Sequence, residues 1–136
     1  MRQVLDSFAG FDNFLVYLAI SLALLAAFIV LYVRITPHRE FALIREGNMA
    51  AAFSLSGAIL GFIVPLSAAV RFSVNLADMA IWGMIALGVQ IAAFIVVRML
   101  VPTITDDIVA GKASLGFFLG TLSLGVGMLN GACMSF

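Results

Sequence analysis

Charged residues cluster along this 136-residue chain, and between the clusters run four stretches with none: Phe14 to Val33, Gly47 to Val70, Met79 to Val97 and Ala113 to Phe136. A helix rising ~1.5 Å per residue needs about 20 residues to cross ~30 Å of hydrocarbon, and each stretch has about that length. A soluble core helix would be shorter and would carry a polar face; these carry none. The pattern predicts an all-α membrane protein with four spans, short loops and one integral membrane domain over residues 1–136. The first span is expected to be retained. Its run of about 20 residues exceeds the usual apolar core of a signal peptide, about 7–15, and Arg2, Asp6 and Asp12 precede it instead of a basic cluster.

A shift of 64 residues brings two halves into register. Val33 then meets Val97, Arg34 meets Arg98, Ile44 meets Ile108, and Gly47 meets Gly111. Phe53 meets Phe117, Leu55 meets Leu119, Leu60 meets Leu124, Gly61 meets Gly125 and Ala68 meets Ala132. These identities predict tandem two-span repeats, at about 14–70 and about 79–136. Two spans per repeat make the repeats parallel, related by an axis along the membrane normal. Chance similarity between two apolar helices is the competing explanation.

The loops carry turn signals. Thr36 can cap, Pro37 suits a first helical position and Gly47 an exit; Thr103 and Asp106 have capping-box spacing, with Gly111 closing the turn. Two short interfacial helices are expected. In the first, Phe41, Leu43 and Ile44 would face the bilayer, and Arg39, Glu40 and Arg45 water.

Small residues concentrate in spans 2 and 4. Gly57 and Gly61, Gly116 and Gly120, and the ladder Ser123, Gly127 and Gly131 are stripes that let helix backbones approach. With Gly125 they predict that spans 2 and 4 form the packed centre, with bulkier spans 1 and 3 facing lipid. Asn48, Ser54, Ser56, Gln90, Thr121, Ser123 and Asn130 are candidates for interhelical contacts or for a polar path. An unpartnered amide in hydrocarbon costs several kcal/mol, so Gln90 and Asn130 should find partners across helices.

Composition then narrows function. The chain is 64% hydrophobic and 10% charged, with a formal net charge of zero, so electrostatics give no reason to bind nucleic acid. No Asp, Glu, Lys, Arg or His falls inside a span, which argues against proton-coupled antiport and voltage sensing. Arg34, Arg71, Asp78, Arg98 and Lys112 read as interface anchors, and Asp106-Asp107 as a solvated acidic turn. His38 has no metal-ligand partner at suitable spacing, and Cys133 no base to activate it. No catalytic set, cofactor motif or metal site emerges, so an enzyme is not expected. Five basic residues in loops 34–47 and 98–112, against Arg2 and Arg71 opposite, place those loops in the cytoplasm and both termini outside. Trp82 and Tyr32 suit the aromatic belts at the two interfaces.

Two motifs carry a family resemblance over nearly the whole chain. One is Ile44-Arg45-Glu46-Gly47-Asn48-Met49-Ala50-Ala51-Ala52, running into Gly57 and Gly61. The other is Asp107-Ile108-Val109-Ala110-Gly111-Lys112, followed later by Asn130-Gly131-Ala132. The chain resembles the YjfL-like bacterial inner-membrane proteins, domain-of-unknown-function family 350. In that family a Gly-Asn pair opens the second helix of each repeat; here Lys112 replaces the second asparagine. The resemblance implies the bacterial inner membrane and no established activity, and some relatives look linked to envelope-stress systems. Two functions remain open: a non-enzymatic accessory or scaffold in contact with membrane lipid, assembling as a homo-oligomer or with envelope-stress membrane proteins; and a small oligomeric channel or facilitator for ions or solutes.

Overall fold

The computed structural model describes residues 1–36 and 39–134. The described residues are helical, without strands, and four of the helices are long and apolar enough to cross a membrane. The order is α1 (Arg2–Phe8), α2 (Phe11–Ile35), α3 (Glu40–Arg45), α4 (Met49–Phe72), α5 (Leu76–Leu100), α6 (Ile104–Val109) and α7 (Ala113–Ala132). The spans correspond to α2, α4, α5 and α7. Helices α2 and α5 run past the uncharged stretches and take in Asp12, Arg34, Asp78 and Arg98; the acids fall in the first turns and the arginines in the last, as the helix dipole favours. Pro65 lies inside α4 without ending it.

The loop helices end on glycines with left-handed backbone. Gly47 has φ +87° and Gly111 φ +83°, the region that a side chain disfavours. Each turn closes with the same pair of hydrogen bonds. Asn48 N donates to Leu43 O at 2.9 Å and Gly47 N to Ile44 O at 3.0 Å; Lys112 N donates to Asp107 O and Gly111 N to Ile108 O, both at 3.0 Å. The predicted glycine exits therefore stand, and α4 starts at Met49, two residues inside the expected boundary.

Other local expectations need correction. Thr36 does not cap the first loop helix: it ends α2, its hydroxyl donates to Val33 O at 2.9 Å, and Arg39 precedes α3. Pro37 and His38 lie outside the described residues. Thr103 makes no capping box with Asp106; its hydroxyl donates to Asp107 Oδ2 at 3.2 Å. Asp78, expected as an anchor, also takes part in a cap. Asn75 accepts from Asp78 N at 2.9 Å while Asp78 Oδ2 accepts from Val74 N at 3.0 Å, which satisfies donors that the start of α5 leaves open.

Helix α4 is the centre. It packs on α7 along its length and also touches α2, α3, α5 and α6. The expectation that spans 2 and 4 share the centre holds for their mutual contact only. Phe117, Phe118, Met128 and Leu129 of α7 are exposed on its far side. Helix α2 is the least buried span, but its inner stripe anchors an aromatic cluster. Phe28 stacks on Phe62 of α4 with centroids 4.6 Å apart, and Tyr32 meets Phe94 of α5 at 4.9 Å. Tyr32 is thus buried in the bundle and is not part of an interfacial belt.

Candidate functional site

The α4–α7 seam is built from missing side chains. A Cβ added to Gly57 would strike the Gly120 backbone, one on Gly61 the Ser123 carbonyl, one on Gly116 the Ala50 backbone, and one on Gly127 the Gly61 backbone. On Gly120 it would meet Phe53 O, and on Gly131 it would lie 3.2 Å from Val64 Cγ1. Contacts climb both helices together, from Ala50 with Gly116 to Pro65 with Gly131, so α4 and α7 run parallel. Gly125 does not belong to this seam. Nothing lies within 4 Å of its Cβ position. At ~100° per residue, nine residues beyond Gly116 is the opposite side of the helix.

Two of the polar side chains tie α5 to α7 beside this seam. Gln90, 4% exposed, sends Nε2 from α5 to Ser123 O at 3.1 Å. Asn130 sends Nδ2 from α7 to Ala86 O at 3.3 Å. Ser54 is buried and donates to Ala51 O at 3.1 Å in its own helix. Ser56 and Thr121 lie elsewhere, in a shallow groove of about 170 Å³ shared with Phe53, Leu60, Phe117 and Leu124.

Asn48 ties the two loops together. Its Oδ1 accepts from Ala51 N at 3.0 Å, capping α4, while Nδ2 donates to Ile108 O at 2.8 Å and Val109 O at 3.3 Å at the end of α6. Lys112, at the matching point before α7, instead pairs with Asp107 at 3.1 Å and is 60% exposed. Asn48→Ala is therefore expected to cost about 1–2 kcal/mol, an N-cap plus a tertiary bond. Lys112→Ala should cost under about 0.5 kcal/mol, because exposed pairs contribute little. Unfolding of both variants in detergent micelles measures the difference.

Glu40 corrects the sequence reading most sharply. Expected to face water, it is fully buried at the start of α3. Its carboxylate lies near the buried Tyr32 hydroxyl, which also neighbours Ser54. Sequence reasoning missed this cluster because its members come from three helices and show no shared spacing.

On the loop side, α3, α6 and the end of α5 enclose a cleft of about 580 Å³. Arg39 and Glu46 come from the α3 segment, Arg98 from α5, and Asp106 from α6. Arg98 also donates from Nη1 to Ile35 O at 3.2 Å, tying α5 to the end of α2. Read in sequence as separate anchors and a solvated turn, Arg98 and Asp106 line one cavity.

A family model described as Domain of Unknown Function (DUF350) matches residues 5–134. The chain is 38% identical over 133 residues to the UPF0719 inner membrane protein YjfL of Escherichia coli strain K12, with 98% of each chain covered. It matches the protein of the same name in Escherichia coli O157:H7 to the same extent. No solved structure matches.

Proposed function

The chain belongs to the DUF350 family, and on that premise we propose that this inner-membrane protein is a non-enzymatic accessory or scaffold whose α4–α7 unit holds α3 and α6 at the membrane surface. The observation that carries this reading is the seam: backbone lies on backbone at Gly57–Gly120 and Gly61–Gly127. Such contact favours a rigid unit over a conduit, and Gln90 and Asn130 spend their amide donors tying α5 to α7. An oligomeric channel would need a path between copies, and Ser54, Gln90 and Asn130 already bond within the chain.

In this reading the chain is two parallel tandem repeats. The matching turns at Gly47 and Gly111 and the 64-residue offset between the starts of α4 and α7 support it. The loops face the cytoplasm, as their basic residues favour. Assembly, with further copies or with an envelope-stress membrane protein, uses the exposed side of α7 around Gly125, where close helix approach is open. Native mass spectrometry of protein extracted gently from its own membrane tests this. We expect a defined complex, and Gly125→Leu should disperse it while the chain stays folded. A chain that leaves the membrane alone, or a complex indifferent to Gly125→Leu, would overturn this mode of assembly.

A further inference from the structure

We propose that the cleft between α3, α6 and the end of α5 binds the headgroup of a zwitterionic phospholipid of the phosphoethanolamine class. This goes beyond the scaffold reading and does not depend on assembly. The cavity, about 580 Å³, falls in the ~300–1,000 Å³ range of small-ligand sites. Its charges are balanced, two of each sign: Arg39 and Arg98 against Glu46 and Asp106. Among the described residues no ion pair joins these four; Lys112 pairs with Asp107 outside the cavity lining. Two arginines and two acidic residues therefore line one space without pairing among themselves, and Arg98 spends one N–H on Ile35 O.

A phosphodiester fits the arginines, whose planar N–H forks match phosphate oxygens. A primary ammonium fits the carboxylates, because its three N–H donors can be shared between them. A purely anionic headgroup satisfies only the first half and meets Glu46 and Asp106 as like charges. A choline headgroup brings the charge without the N–H donors.

The position selects a lipid over a soluble ligand. The cleft lies where the spanning helices end, the depth of the headgroup region. Leu43, Pro102 and Val109 contribute apolar lining, and Met99 and Leu100, beside Arg98, are exposed where acyl chains would lie.

The test is native mass spectrometry of the delipidated full-length protein in detergent, titrated separately with phosphatidylethanolamine, phosphatidylcholine, phosphatidylglycerol and inorganic phosphate. Phosphatidylethanolamine should be retained at about one per chain, at roughly tenfold lower concentration than the other two lipids, since each lost charge-assisted contact is worth about that factor. Glu46→Gln with Asp106→Asn should erase the preference over phosphatidylglycerol. Arg39→Gln with Arg98→Gln should lower retention of both lipids about tenfold or more. Because Arg98 also bonds the end of α2, Arg39→Gln alone is the milder variant, and it should still weaken retention. Arg45→Gln, outside the cleft, should change nothing. Equal retention of the three lipids by the unaltered chain, indifference to Arg39→Gln, or tight binding of phosphate without lipid would each overturn the proposal.

Discussion

Gly57→Leu is expected to destabilise the folded chain by about 3 kcal/mol or more, at or above the upper end of core overpacking. The added carbon would enter the Gly120 backbone. A flexible side chain can swing aside, but here the only relief is separation of α4 from α7. Separation would also strip the contacts of Gly61, Gly116 and Gly127. In a bilayer, where lipid tails are as apolar as leucine, such close packing and its hydrogen bonds are what hold helices together. Gly125→Leu supplies the contrast. With open space at that position, it should leave the stability of the single chain within about 0.5 kcal/mol, as surface changes do. Reversible unfolding in mixed micelles reads both.

The second large effect is expected at Phe62. Its ring is fully buried and stacks on Phe28, and that contact joins α2 to α4. Phe→Ala in a soluble core costs about 3–5 kcal/mol, part of it transfer from water and part the cavity left behind. In hydrocarbon the transfer part shrinks and the lost dispersion contacts remain, so we expect about 2–4 kcal/mol for Phe62→Ala. Helix α2 should loosen first, since it touches the bundle least apart from this cluster. Faster proteolysis or thiol labelling along α2, with α4–α7 still protected, would mark that order. Phe118→Ala, on the exposed side of α7, should do neither.

How much of this was legible in the sequence depends on what kind of signal each feature leaves. The spans were legible because fourteen charges, seven of each sign, cannot be placed in hydrocarbon cheaply and so mark its edges. The exits at Gly47 and Gly111 were legible because left-handed backbone selects glycine. The seam was legible in its spacing, since Gly57, Gly61, Gly116, Gly120, Gly127 and Gly131 repeat at helical intervals. Gly125 was read with them on residue type alone, although helix geometry turns it away. The aromatic cluster left no trace. In a helix apolar all round, Phe28 facing inward and Phe14 facing outward look alike, because no polar face breaks the symmetry. Glu40 was missed for a related reason: six residues of α3 are too few for periodicity to fix a buried face. The cleft required three elements to meet, and sequence spacing does not report that.

The parallel α4–α7 contact is the claim on which the rest depends, and thiol crosslinking tests it most directly. Ser56→Cys with Thr121→Cys, in a Cys133→Ala chain, places thiols on the two helices across one groove. Treated in native membranes with a short bifunctional thiol reagent, the pair should join within single chains, giving a faster-migrating monomer. Ser56→Cys with Met84→Cys, the second exposed on α5, should not. Efficient joining of the control pair, or failure of the first pair while both thiols remain reactive, would contradict the seam and the architecture built on it.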